Sequence, residues 1–94
     1  MNLDKSTKRI AKRVKRGFQG YPQISISYFG KTADCASEVL IGYIAEENAS
    51  VQEQRFQCES DARTDETLQT TLLKVIERAD AKTVLEDKAV TITQ

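Results

Sequence analysis

Apolar side chains run almost unbroken through residues 37 to 45, where Val39, Leu40, Ile41, Tyr43 and Ile44 occupy both parities. A strand buried on one face alternates and one flanked on both faces shows a continuous run, so this segment predicts the central strand of a sheet. Upstream, residues 23 to 29 alternate, with Ile24, Ile26 and Tyr28 on one parity and Ser25, Ser27 and Phe29 on the other. That pattern predicts a strand with a single buried face. Residues 46 to 50 supply a turn and residues 51 to 59 a third strand. A register that sets Phe56 opposite Ile41 and Cys58 opposite Val39 places these four on one face. Leu40, Gly42 and Ile44 then share the other face with Glu53, Arg55 and Gln57.

Two segments keep a helical period instead. Over residues 3 to 18, Leu3, Ile10, Ala11, Val14 and Phe18 fall on one arc with Thr7 among them; Asn2 or Asp4 can cap the start, and Gly17, Gly20 and Pro22 punctuate the end. A second helix is predicted from Thr64 as N-cap, with Asp65 and Glu66 in the first turn and a stripe of Leu68, Leu72, Val75, Ile76 and Ala79. Residues 89 to 93 read as a short fourth strand at a sheet edge, with no partner assigned. The order α-β-β-β-α-β predicts an α+β fold in one domain spanning residues 1 to 94. It is expected to be an antiparallel three-stranded meander plus the C-terminal strand, with both helices packed on one face.

Charge changes this picture more than composition does. The net charge of the 94 residues is zero, yet residues 1 to 20 hold Lys5, Lys8, Arg9, Lys12, Arg13, Lys15 and Arg16 against the single acid Asp4. Five of these seven bases precede the last turn, so the helix dipole does not account for them. A row of cations opposite an apolar stripe suits a phosphate backbone, and these seven residues are the expected contact to RNA, DNA or the ribosome. The plain alternative is a solvated helix face. Membrane-surface binding is not expected, because the stripe lacks Trp and serves the protein's own core. With no apolar run near 18 residues and no apolar region behind the basic start, neither a span nor a secretory signal is expected, and the default compartment is cytoplasmic.

A helix, a three-stranded meander and a second helix in this order resembles the double-stranded-RNA-binding domain. The same run is found in ribosome-hibernation factors, which place an extra strand before it rather than after. The resemblance is one of topology over most of the chain, and it implies a nucleic-acid or ribosome partner. Double-stranded-RNA-binding domains open their second helix with lysines aimed at phosphates. The corresponding residues here, Asp61, Ala62, Arg63, Thr64, Asp65 and Glu66, have the opposite sign, so no binding residue is carried over.

The alternative expectation is a protein-interaction or homodimer module. Phe29, Leu40 and Ile44 would lie on the sheet face away from the helices, with Gly42 leaving room for close approach. The opposed charges of the first helix and the remainder would suit a second copy or an acidic protein partner. Catalytic readings find little support. The chain has no His, which removes Cys-His pairs and His-containing zinc patterns, and Cys35 and Cys58 are expected as free thiols. The acids Glu59, Asp61, Asp65 and Glu66 fit no calcium-loop spacing, and residues 17 to 20 end a helix rather than opening one around a phosphate. A non-enzymatic binding domain without metal or cofactor is expected.

Overall fold

The computed structural model describes residues 3 to 92, the side chain of Lys88 excepted. The helix α1 (Leu3–Lys15) leads to the strands β1 (Gln23–Gly30), β2 (Glu38–Ile44) and β3 (Gln52–Gln57). A single 3₁₀ turn (Ala62–Thr64), the helix α2 (Glu66–Arg78) and the strand β4 (Thr83–Ile92) complete the chain. The sheet order is β3-β2-β1-β4, with β1, β2 and β3 antiparallel and β4 parallel to β1. Asn2 as a cap and Thr93 as a strand residue lie outside the described residues.

Alternation decides which face each strand buries. Ile24, Ile26 and Tyr28 point toward the helices, opposite Tyr43, Ile41 and Val39 of β2, and join Ile10 of α1 and Leu68, Leu72, Leu73 and Ile76 of α2 in one core. The run over residues 37 to 45 forms an interior strand as expected, but β1 is interior too, and the outer side chains of β2 are only half-buried because no helix covers them. Its continuous apolar run therefore marks an interior position between β1 and β3, not cover on both faces. The β2–β3 register is displaced by two residues from the expected one, with Val39 opposite Phe56 and Ile41 opposite Gln54. A shift of two preserves parity, so every side chain stays on its expected face. The turn between them carries Asn48 at φ 67°, a backbone state in which Asn is tolerated better than most residues.

The fourth strand is longer than its apolar pattern suggests. It begins at Thr83 because the backbone N–H groups of Lys82 and Thr83 both donate to the Pro22 carbonyl at the mouth of β1, and Val84 is buried beside Ile24. Its register on β1 shifts between Asp87 and Val90, which breaks the alternation that would have revealed it.

Polar side chains hold the core in two places that hydrophobic periodicity does not show. The buried Tyr28 hydroxyl donates to Glu86 Oε2 at 2.7 Å and accepts from Gln69 Nε2 at 3.1 Å; Gln69 also donates to the Ala62 carbonyl at 2.8 Å. Burial pushes the Tyr28 phenol well above its ordinary range, so it remains a donor. Asp61 accepts from the backbone N–H groups of Ala36 and Arg63 and pairs with the Arg63 guanidinium at 2.9 Å, while that guanidinium also reaches the Asp34 carbonyl at 3.3 Å. This ties the β1–β2 loop to the segment before α2. The N-cap of α2 is Asp65, one residue later than Thr64, because Asp65 Oδ1 accepts from Leu68 N–H at 2.8 Å while Thr64 closes the 3₁₀ turn.

Both acids give the fold a definite acid sensitivity. The side-chain bond from Arg63, outweighing desolvation, holds Asp61 below its ordinary value of 3.8; the Leu68 amide and then the Cys58 thiol do the same for Asp65. Groups with depressed folded values stabilise above their unfolded value and lose that contribution as pH falls through the folded one. We expect the thermal midpoint to fall more steeply below about pH 4 in the wild type than in the Asp61→Asn, Asp65→Asn double variant, since Asn caps nearly as well. Parallel melting curves across that range would refute the assignment.

Candidate nucleic-acid interface

The placement of α1 follows from its buried side. Ser6 and Ile10 are buried, with Leu3, Thr7, Arg13 and Val14 half-buried around them, and the helix packs on α2 and β4. The Ser6 hydroxyl lies 3.2 Å from Thr70 Oγ1 of α2, so a small polar residue sits at the contact between the helices. This turns the buried stripe away from the expected arc. Ala11 and Phe18 are exposed, and Arg13 has moved inward, donating to the Ala81 carbonyl at 3.3 Å.

Of the seven expected contact residues, the structure brings six together on one side of the helix. Lys5, Lys8, Arg9, Lys12, Lys15 and Arg16 are all exposed, and among the described residues none has an acid within ion-pair distance. Arg13 is instead a strut between α1 and the turn before β4. Asp4 is the one acid on α1, and the other exposed acids are spread over the fold, among them Glu46 and Glu47 in the β2–β3 turn, Glu53 on β3, Glu77 on α2 and Asp87 on β4. A polyanion reaching α1 meets six cations that have no ion pair to break among the described residues.

Beyond Lys15 the chain leaves the helix through Gly17, whose φ of 73° most side chains disfavour. The loop that follows is pinned from β4: the Gln19 N–H donates to Thr83 Oγ1 at 2.8 Å, and that hydroxyl donates to the Gly20 carbonyl at 2.7 Å. Phe18 projects from this loop, 62% exposed, with its ring edge-to-face against Tyr21 at 5.5 Å. Helical periodicity assigned Phe18 to the core because it extends the helix past Gly17; the positive φ is the signal that it ends sooner.

Phe29, Leu40 and Ile44 do lie on the outer sheet face, all half-buried. Gly42, opposite Ser25, separates Ile44 from Leu40, and Ser27 stands opposite Leu40, so small and polar residues interrupt these apolar groups. The space at Gly42 is also taken: a Cβ there would lie 2.7 Å from Ser25 Oγ and 3.4 Å from Val51 Cγ1. An ion pair between Arg55 and Glu38 at 2.6 Å crosses the same face.

The other candidate chemistry is taken up by the fold. Asp61 and Asp65 serve the loop clamp and the helix cap. Cys35 and Cys58 are free thiols, and Cys58 Sγ donates to Asp65 Oδ2 at 3.4 Å beside an open groove of about 640 Å³. Among the described residues no group of three or more Cys, Asp or Glu side chains is placed to hold a metal, and no helix is long and apolar enough to cross a membrane. Comparison of the chain with protein-family models, with curated proteins and with solved structures found no match.

Proposed function

We propose that this protein is a cytoplasmic binding domain that contacts nucleic acid, free or within the ribosome, through the outer side of α1. The observation that carries this reading is the set of six exposed cations at Lys5, Lys8, Arg9, Lys12, Lys15 and Arg16, without an ion pair among the described residues, held on a helix whose opposite side is anchored by Ile10 and Ser6. A solvated helix face achieves its purpose with charges of both signs; six of one sign within 13 helical residues and their C-terminal neighbour repel one another unless an anion lies against them. The outer sheet face supports the alternative, an interface between copies, less well, since serines and Gly42 interrupt its apolar groups.

Replacing Lys8, Lys12 and Lys15 with Gln tests the proposal. The triple variant should bind mixed-sequence RNA more weakly at low salt, and the slope of log affinity against log salt should drop by about 2 to 3, because each lost phosphate contact removes close to one released counterion. Its thermal midpoint should stay within about 1 °C to 3 °C of wild type, as surface changes away from packing cost little. Equal affinity and equal slope in the two proteins would end the proposal.

A further inference from the structure

The loop after α1 presents an aromatic ring where a cationic helix ends. Phe18 is the most exposed of the large apolar side chains among the described residues, at 62%. It is not a loose ring. Gly17 and Gly20, both at positive φ, shape the loop; Thr83 bonds both Gln19 and Gly20; Gln19 Nε2 donates to the Arg16 carbonyl at 2.9 Å; and Tyr21 braces the ring from one side. Cations flank it. Lys15 and Arg16 precede it, and the stem of Lys82, an exposed residue, lies 4.0 Å from where a Cβ on Gly20 would stand.

A fixed aromatic face bordered by Lys and Arg is the arrangement that stacks a nucleobase while the neighbouring phosphates are held. Only an unpaired base can offer its face, since the bases of a duplex are already stacked on each other. We infer that the ligand of this surface is single-stranded nucleic acid, with its phosphates along Lys8, Arg9, Lys12, Lys15 and Arg16 and one base stacked on Phe18. This inference rests on the reading of α1 as a polyanion-binding helix and names the class of polyanion. Arg16 and Lys82 then contact the phosphates on either side of the stacked base.

The test is fluorescence anisotropy with labelled RNA of about 12 nucleotides, the DNA of the same sequence, the matching duplex, and heparin as a competitor without bases. Wild type, Phe18→Ala, Phe18→Trp and the Lys8, Lys12, Lys15 triple Gln variant are compared at two salt concentrations. The wild type should prefer the single strands to the duplex, with the RNA and DNA arms showing whether the sugar matters. Phe18→Ala should lose about tenfold on single strands, with little change on duplex or heparin and the same salt slope; Phe18→Trp should restore the affinity. Equal loss on all ligands, or none, would overturn the stacking role while leaving the helix as a general phosphate binder. Binding of anionic lipid vesicles that depends on Phe18, without a single-strand preference, would overturn it in favour of a lipid surface. Failure of the wild type to bind any polyanion would remove the reading of α1 itself. Because Phe18 is exposed, both variants should keep the wild-type circular dichroism and melting curve.

Discussion

Replacing Ile10 with Ala should loosen α1 from the rest of the molecule. Ile10 is the one apolar side chain of α1 that is fully buried, 1% exposed, while Leu3 and Val14 are only half covered. Truncating a buried Ile typically costs about 2–5 kcal/mol through lost transfer energy and the cavity left behind. The helix has little with which to replace that contact. Thirteen residues are near the lower limit for a helix standing alone in water, and six like charges along and just beyond this one oppose it further. The remaining ties are the contact between Ser6 and Thr70 and the bond from Arg13 to the Ala81 carbonyl, each an ordinary hydrogen bond. Amide hydrogen exchange should therefore speed up throughout residues 3 to 15 in Ile10→Ala, more than in β1 or β2. Polyanion affinity should fall with it, since a frayed helix no longer holds its cations on one side. The triple Gln variant should do the reverse, keeping its protection and losing its affinity. Unchanged exchange in Ile10→Ala would move the anchor of the helix to Ser6 and Arg13.

Gly30→Ala should be the most damaging of the glycine substitutions. Gly30 ends β1 on its buried face opposite Ile92, and a Cβ there would overlap the carbonyl oxygen of Cys35 and crowd Val90 Cγ1 at 3.2 Å. The Cys35 carbonyl is backbone, so it cannot rotate aside. Cys35 is bonded to Thr32, and its neighbour Ala36 is held by both Asp61 and Ala62. A methyl group forced into that junction should cost about 2–3 kcal/mol, the upper part of the usual range for overpacking, seen as a lowered urea midpoint with an unchanged slope. Gly42→Ala makes a useful contrast. The atom it meets is the Ser25 hydroxyl, which can change rotamer, so its cost should be clearly smaller. A Gly30→Ala protein as stable as wild type would show that the loop over residues 31 to 36 can yield.

The two substitutions also mark where sequence reasoning succeeded and failed. Ile10 was legible as core because it sits in a helical stripe, and so were Ile24, Ile26, Tyr28, Leu68, Leu72 and Ile76, whose periodicity is clean. The close approach at Gly30 was not legible, because it joins two backbone segments and leaves no side-chain pattern. Gln69 escaped notice for a related reason: it is buried by its bonds to Tyr28 and Ala62, and polar satisfaction has no period. The length of β4 was hidden by the register shift after Asp87, and its parallel pairing with β1 is a property of chain topology alone. The cationic side of α1 was readable directly from spacing, except at Arg13, where the chain folds the Ala81 carbonyl into reach of one guanidinium. Phe18 was misplaced because periodicity carried the helix past Gly17.

The position of β4 also sets the order in which the protein can be completed. Its first rung joins Gln23 to Thr83, residues sixty positions apart, and it supplies one whole flank of the interior strand β1. Hairpin contacts within residues 23 to 57 close small loops early, but β1 stays open along one edge until β4 arrives. During synthesis, therefore, β1 exposes an unpaired edge and part of its apolar face until β4 has cleared the ribosome. The sixty positions between the paired residues take several seconds to add at ordinary rates of elongation, on the order of 5–20 residues per second. Within that interval α1 is already made, but α2 and β4, the elements it packs on, are the last to follow.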